Sequence, residues 1–328
     1  MAEPARTALI TGILGQDGHY LAELLTAGGY HVIGTSHRGE NRIRLAGHGK
    51  DIEVLGLDLS DSQAIRATMR QCRPGHIYNL AARASSAQLF DDVVATAQIN
   101  GLAAVHILEA MRTESPESRF CQASSSEVFA KSADSPQNEL TPLRPRNAYG
   151  AAKVFAQNMV EAYRERYGMF ACTAILFNHE SPRRGLHYVT RKITAAAARI
   201  KAGLQTSLPL GNMEGRRDWS FAGDMARGMS LMLEQPGPED YVLASGETHS
   251  VRELCELAFG HLGLDYRHHV VVDPAQERLP DAVELRGDAS KARARLGWQP
   301  TVGFRDLVHM MVEADCAALV ARKAEEER

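Results

Sequence analysis

The run Thr7-Ala8-Leu9-Ile10-Thr11-Gly12-Ile13-Leu14-Gly15-Gln16-Asp17-Gly18 constrains the fold more than any other stretch of this 328-residue chain. A short apolar strand pattern enters three glycines at GxxGxxG spacing. Tyr20-Leu21-Ala22-Glu23-Leu24-Leu25 then continues with helical spacing. A glycine turn between strand and helix aims backbone N–H groups and the positive end of the helix at one point, which suits a pyrophosphate. Gly12 and Gly15 let backbone approach such a group, and Gly18 lets the helix pack near the sheet. Leu14, Gln16 and Asp17 share this turn and are candidate contacts for the same ligand.

Further strand patterns fall at residues 31–35, 53–58, 76–80, 120–124 and 174–177, with helical patterns at 62–69, 105–111 and 151–163. Strands alternating with helices imply parallel pairing and right-handed crossovers. The expected fold class is therefore α/β, a Rossmann-type doubly wound parallel sheet with a smaller C-terminal α/β domain. Residues 1–178 are assigned to dinucleotide binding. Residues 179–328 are assigned mainly to substrate binding, with some segments returning to the sheet domain. In that second part, residues 189–204, 251–262 and 304–322 read as helices, and 241–244 and 269–272 as strands.

Composition excludes several classes. Lys plus Arg is 37 against 40 Asp plus Glu, a net charge of −3, which gives no electrostatic reason for general binding to nucleic acid or membrane surfaces. No apolar run approaches the ~20 residues of a membrane span. Residues 1–6 lead straight into the first strand with no signal-peptide core. The five cysteines are odd in number and widely spaced, with no CxxC or Cys/His ligand pattern. Free thiols in a reducing cytoplasm and no metal site are the expectation.

GxxGxxG rather than GxGxxG points to the short-chain dehydrogenase/reductase type of Rossmann domain. The end of the second strand selects the cofactor. It reads Thr35-Ser36-His37-Arg38, with no carboxylate for a ribose 2′-hydroxyl, whereas Arg38 can hold a 2′-phosphate. NADP is favoured over NAD. Asp58-Leu59 fits the adenine position, and Leu80, Ala81 and Ala82 fit the segment under the ribose and pyrophosphate. Tyr149-Gly150-Ala151-Ala152-Lys153 is a YxxxK pair, whose members share a helix face. The Lys153 ammonium is expected to lower the pKa of Tyr149, so that a phenolate removes an alcohol proton while hydride leaves the same carbon. Upstream, Ala123-Ser124-Ser125-Ser126-Glu127 places a hydroxyl, Ser125, and a carboxylate, Glu127, beside that pair. A plain dehydrogenase or sugar 4-epimerase needs the hydroxyl alone. A dehydratase also needs the carboxylate, to take the C5 proton and protonate the leaving C6 hydroxyl. The bland alternative for Glu127 is a loop or capping residue.

These residues resemble the GDP-mannose 4,6-dehydratases over nearly the whole chain. The block Ile175-Leu176-Phe177-Asn178-His179-Glu180-Ser181-Pro182-Arg183-Arg184-Gly185, followed by Val189-Thr190-Arg191-Lys192-Ile193-Thr194, is specific to them. Gly211-Asn212-Met213 and Arg217-Asp218-Trp219 continue the likeness, while Leu296-Gly297-Trp298-Gln299-Pro300 is shared more widely. The resemblance implies oxidation at C4 of a GDP-sugar, loss of water across C5 and C6, and return of hydride to C6. It places Asn178 on the diphosphate and Val189, Arg191 and Lys192 along the nucleotide. Arg217 and Arg278 would hold phosphates, and Ser85 would lie near the sugar. It implies a homodimer or homotetramer, and gives Glu180, Arg183 and Arg184 no individual role; His179 reads as a structural hydrogen-bonder.

The chain departs from the family pattern at several points. Ser125 replaces a threonine, and Phe129-Ala130 replaces tyrosine and glycine. Arg83-Ala84-Ser85-Ser86 replaces the usual sequence near the sugar, and Gly39-Glu40-Asn41-Arg42 shortens a loop that in the family reaches a neighbouring subunit. Another GDP-sugar, such as a GDP-manno-heptose, therefore stands as an alternative substrate. A 4-epimerase or 4-ketosugar reductase is opposed by Glu127. A cofactor-binding regulatory protein is opposed by the intact Ser125, Glu127, Tyr149 and Lys153.

Overall fold

The computed structural model describes residues 6–37, 39, 42–44, 51–84, 92–274 and 283–326. Its first part follows the alternation expected from sequence. In chain order it runs β1 (Thr7–Thr11), α1 (Gln16–Ala27), β2 (His31–Ser36), β3 (Arg42–Arg44), β4 (Asp51–Gly56), α2 (Ser62–Cys72) and β5 (His76–Asn79). Next come α3 (Val93–Ala97), a π turn at Gln98–Leu102, α4 (Ala103–Glu114), β6 (Arg119–Ala123), a 3-10 turn at Ser126–Phe129, α5 (Ala148–Tyr167) and β7 (Ala171–Leu176). The second part holds β8 (Asn178–Glu180), α6 (Val189–Lys201), β9 (Leu208–Leu210), β10 (Arg216–Arg217), β11 (Trp219–Phe221), α7 (Ala222–Leu233) and β12 (Tyr241–Leu243). It ends with β13 (His249–Ser250), α8 (Val251–His261), β14 (Val270–Val272), α9 (Ser290–Leu296) and α10 (Phe304–Glu326).

The main sheet has the order β12-β7-β6-β5-β1-β2-β4-β3. Its pairs are parallel except β3 with β4. Chain order reverses between β1 and β5, which creates the crevice where ligands of doubly wound sheets bind. Alternate side chains of β1 serve opposite faces. Ala8 and Ile10 pack with Leu21, Leu25, Met225 and Trp298, whereas Leu9 packs with Ile65, Ile107 and Val160. Thus α7, β12 and α9 lie with the sheet although they follow residue 178. The smaller lobe gathers α6, α8 and α10 around Ile193, Trp219, Leu254, Phe259 and Val312.

The segment Leu296-Gly297-Trp298-Gln299-Pro300 has a packing role. Fully buried Trp298 donates its Nε1–H to Asp224 O at 2.8 Å, while the Asp224 carboxylate accepts from Thr301 N at 2.9 Å and Thr301 Oγ1 at 2.8 Å. That carboxylate joins the start of α7 to the approach to α10.

One expectation is corrected. Val93–Glu114 forms 22 continuous helical residues, long and apolar enough to cross a membrane. Asn100, Glu109 and Arg112 interrupt its apolar runs in sequence. In three dimensions Ile107, Leu108 and Met111 are buried in the core with residues of α2 and α5, as one face of an amphipathic helix should be.

Candidate active site

The polar residues at the C-terminal ends of the central strands form a continuous chain. Thr11 and Asn79 are register partners, as are Asn79 and Gln122. Thr11 Oγ1 donates to Asn79 Oδ1 at 2.6 Å, Asn79 Nδ2 donates to Gln122 Oε1 at 2.8 Å, and Gln122 Nε2 donates to Ala123 O at 2.8 Å. Thr11 Oγ1 also accepts from Leu80 N and Ala81 N, both at 3.1 Å. These bonds tie the glycine turn to the strand that leads into Ser124, Ser125 and Ser126.

The glycine turn is sterically committed. Gly12 has φ +69°, and a Cβ there would lie 2.7 Å from Ala81 Cα. A Cβ on Gly18 would lie 2.5 Å from both Ile13 Cα and Ile13 O, so Gly18 packs on the turn itself rather than on the sheet. Gly15 N–H donates to Gly12 O at 3.0 Å, and Gly15 is exposed at the start of α1, with Leu14 partly buried against the core. Gly15 is thus exposed at the start of α1 while Gly12 and Gly18 close the turn behind it. The Gln16 side chain is spent within the protein: its Nε2 donates to His179 O at 3.1 Å, and its Oε1 accepts from Ser181 Oγ at 2.7 Å. Asp17 accepts from His179 Nε2 at 2.9 Å. Burial pushes the Asp17 carboxyl up, but the His179 charge and hydrogen bond outweigh it and hold the acid below its usual range. Burial likewise pushes His179 down, and Asp17 more than reverses this.

The Asp58 carboxylate accepts from Ser60 N and Ser60 Oγ, both at 2.8 Å, and this first of all lowers its pKa. Asp58 is exposed beyond β4, whereas the Leu59 side chain is buried in the core. Leu59 can therefore meet an adenine through its backbone alone. Arg38, Ser85 and Arg278, singled out from sequence, lie outside the described residues.

A cavity of about 1220 Å³ opens over the strand ends. It exceeds the ~300–1,000 Å³ typical of one drug-sized ligand, which suits two ligands side by side. Asp17, Leu80 and Ala82 line it from the dinucleotide side, and Ser125, Glu127, Tyr149 and Lys153 line its centre. Asn178, Val189, Lys192 and Arg217 line it from the smaller lobe. Ser124 Oγ, buried and without a hydrogen-bond partner, belongs to a residue of the same wall. The exposed glycine at the N-terminus of α1 and an orphaned hydroxyl in the wall fit a bound dinucleotide.

Tyr149 and Lys153 sit at the start of α5. Lys153 Nζ donates to Ala123 O at 2.7 Å and lies 5.7 Å from the Tyr149 ring centroid. Burial brings the Lys153 ammonium down to about 8. Burial also dominates Tyr149 and pushes its phenol well up, with the Ser125 hydrogen bond opposing. This corrects the expectation from sequence: in the protein alone, Lys153 does not hold the phenol down. Ser125 Oγ accepts from Glu127 N at 3.3 Å and caps the 3-10 turn. Glu127 is one-fifth exposed and accepts from Asn147 Nδ2 at 2.7 Å.

Arg191 is a second correction. It does not line the cavity; it pairs with Asp315 of α10 at 2.5 Å and donates to Arg184 O at 3.0 Å. Val189 and Lys192, three apart on α6, share the face toward the cavity, whereas Arg191 points elsewhere. The structure also gives work to residues left without a role. Arg183 forms a two-pronged pair with Glu23 of α1 at 2.7 and 2.9 Å. Arg184 pairs with Glu180 at 3.2 Å and covers the Tyr188 ring at 3.5 Å. Sequence reasoning missed Arg146, Asn147, His187 and Tyr188 in the wall. Asn147 alone carried a signal in its residue type, since Asn is favoured at the position just before a helix, which here starts at Ala148.

A sequence model of the family described as GDP-mannose 4,6 dehydratase matches residues 9–311. The chain belongs to the GDP-mannose 4,6-dehydratase family. GDP-mannose 4,6 dehydratase 2 of Arabidopsis thaliana is 45% identical over 96% of this chain and 88% of its own length. The GDP-mannose 4,6-dehydratase of Vibrio cholerae is 38% identical, covering 94% of each. Among solved structures, the UDP-glucose 4-epimerase of Thermus thermophilus in complex with NAD superposes with TM-score 0.80. It is 25% identical over 95% of this chain and 99% of its own. In this dehydratase family member, the fold is thus one that epimerases also use, and the site must carry the distinction.

Proposed function

We propose that the protein converts GDP-D-mannose to GDP-4-keto-6-deoxy-D-mannose, a 4,6-dehydration. The family membership supports this reading, and Glu127 in the cavity wall with Ser125, Tyr149 and Lys153 is the observation that carries it. A nicotinamide dinucleotide, when bound, supplies the acceptor and later donor of hydride together with a positive charge beside Tyr149. NADP is the proposed form, supported by Arg38 and the lack of a carboxylate in Thr35-Ser36-His37-Arg38.

Tyr149 takes the proton of the C4 hydroxyl, which Ser125 holds by a hydrogen bond. Lys153, anchored on Ala123 O, keeps the phenol at the mouth of β6 and offers it a cation below about pH 8. Once C4 is a ketone, the C5 proton is acidified. The Glu127 carboxylate takes it, and the resulting acid gives a proton to the departing C6 hydroxyl, so water leaves and the carboxylate is restored. Lys192 and Arg217 on the opposite wall offer cations to the diphosphate. A second copy of the chain is a further proposed partner. Val94, Leu102 and Phe155 are exposed at 69%, 42% and 45% along α3, the π turn and α5, an apolar face suited to self-association. A cytoplasmic site of action is part of the same reading.

The test compares two variants. Tyr149→Phe should abolish oxidation at C4, whereas Glu127→Gln should retain oxidation and lose elimination by ~100-fold or more. Near-normal dehydration by Glu127→Gln would remove the role given to that carboxylate.

A further inference from the structure

The carboxylate that performs elimination and the helix that carries Tyr149 and Lys153 meet through one side chain. Asn147 precedes α5 and caps it: its Oδ1 accepts from Gly150 N at 2.7 Å. The Nδ2 of the same amide donates to Glu127 Oε2 at 2.7 Å. Asn147 is buried, and its bond to Gly150 N is shielded from bulk water. The backbone around them is equally close. A Cβ on Gly150 would lie 2.8 Å from Glu127 O, Arg144 N donates to Val128 O at 2.7 Å, and Lys131 N donates to Arg144 O at 2.8 Å. The first turn of α5 is therefore docked on the 3-10 turn that bears Glu127. Arg146 adds its Nε at 3.6 Å from Glu127 Oε2.

We propose that Asn147 is a positioning residue for the elimination step: its amide holds one Glu127 oxygen against the N-terminus of α5, leaving the other to face the substrate. This rests on the dehydratase reading. The argument is one of geometry. An amide has an acceptor and a donor end in one rigid plane, so it can cap the helix and fix the carboxylate at once. An aspartate caps equally well but offers Glu127 no donor, and a glycine is tolerated as a cap but has no side chain to offer one. A Glu127 freed from this bond still ionises but no longer has a single orientation, and misplacement of a catalytic group costs rate rather than binding.

The experiment uses Asn147→Asp and Asn147→Gly in the full chain. Aspartate keeps the cap bond and glycine is well tolerated at an N-cap, so thermal stability should stay near that of the parent. Elimination should fall ~10- to 100-fold in kcat, the worth of a hydrogen bond to a charged group, with KM for GDP-mannose unchanged and C4 oxidation retained. Parental kcat in both variants would overturn the proposal. So would a loss of substrate affinity and kcat together with lost stability, because a purely structural residue gives that pattern. A second measurement needs no turnover. Solvent exchange of the Asn147 side-chain amide protons, read by nuclear magnetic resonance, should be slowed for one proton of the pair. Glu127→Ala should release it. Equal exchange in the parent would overturn the proposal on its own. If the protected proton is seen but the parent does not dehydrate GDP-mannose, the clamp stands and the substrate reading falls.

Discussion

The Lys153 ammonium lies 2.7 Å from the carbonyl oxygen of Ala123, the last residue of β6. The lysine is almost wholly buried, and burial lowers its pKa from 10.5 to about 8. Below about pH 8 both folded and unfolded chains carry the charge, and the folded state bears the full desolvation penalty. Between about 8 and 10.5 the unfolded chain binds more protons, so this group's contribution to stability rises with pH. Lys153→Met should therefore be inactive yet more stable than the parent near neutrality. The gap should narrow as pH rises through that window, as read by denaturant unfolding at several pH values. A gap independent of pH would show that the ammonium is not desolvated in the folded protein.

The Asp17–His179 pair makes a prediction of the opposite kind. His179 is raised by Asp17 against burial, so its contribution is fully present below 6.5 and lost as pH rises through its raised folded value. Asp17 is lowered, so its contribution is present above 3.8 and lost as pH falls through its lowered folded value. Together they stabilise most in the mildly acidic range. Breaking a buried pair costs ~3–5 kcal/mol, and solvent reaching the part-exposed Asp17 places His179→Gln at the low end. Unfolding curves should show its largest deficit near about pH 5 and a smaller one in alkali. A deficit that grows in alkali would contradict the pairing.

The glycine turn predicts two differently caused failures. Gly12→Ala meets Ala81 backbone and also strains a positive φ, whereas Gly18→Ala meets Ile13 backbone at an ordinary φ. Each should cost ~1–3 kcal/mol of stability. Each should also weaken NADP binding in a fluorescence titration, because the turn has to shift. Gly15→Ala, which meets only Gly12 O at 3.2 Å, should be much milder on stability. Equal stability losses for all three would show that the turn is not packed as described.

Arg191 and Arg217 should separate by assay. Arg217 lines the cavity on β10, so Arg217→Ala should raise KM for a GDP-sugar ~10-fold or more with little loss of melting temperature. Arg191→Ala leaves Asp315 and Thr194 with a broken buried network, so it should lower stability by ~2–4 kcal/mol. Its KM should move little. The reverse pattern, read by steady-state kinetics and thermal unfolding, would restore Arg191 to the substrate.

Much of the sheet domain was legible because its signals are local. The strand, glycine turn and helix at residues 7–27 follow one another directly, and short apolar strands bury both faces of a parallel sheet. The YxxxK pair and the serine-rich end of β6 could be read as one site since strand ends on such sheets converge. What escaped was non-local. Whether α7 or β12 joins the main sheet depends on Met229, Trp298 and Leu243 meeting across the fold, which no window of sequence contains. Arg191 was placed along the nucleotide by the family resemblance, beside Val189 and Lys192, which do line the cavity. Its true partner, Asp315, lies 124 positions away. The twofold bonding of Asn147, to Gly150 N and to Glu127, needed the loop between β6 and α5 to be placed.

The most direct test of the account is incubation of the purified protein with GDP-mannose and a catalytic amount of NADP, followed by mass spectrometry of the nucleotide sugar. The account predicts loss of one water from the sugar, with no net formation of NADPH. Unchanged GDP-mannose with folded, NADP-bound protein would contradict the proposed substrate. Loss of water from a GDP-manno-heptose under the same conditions would then keep the chemistry and change the sugar.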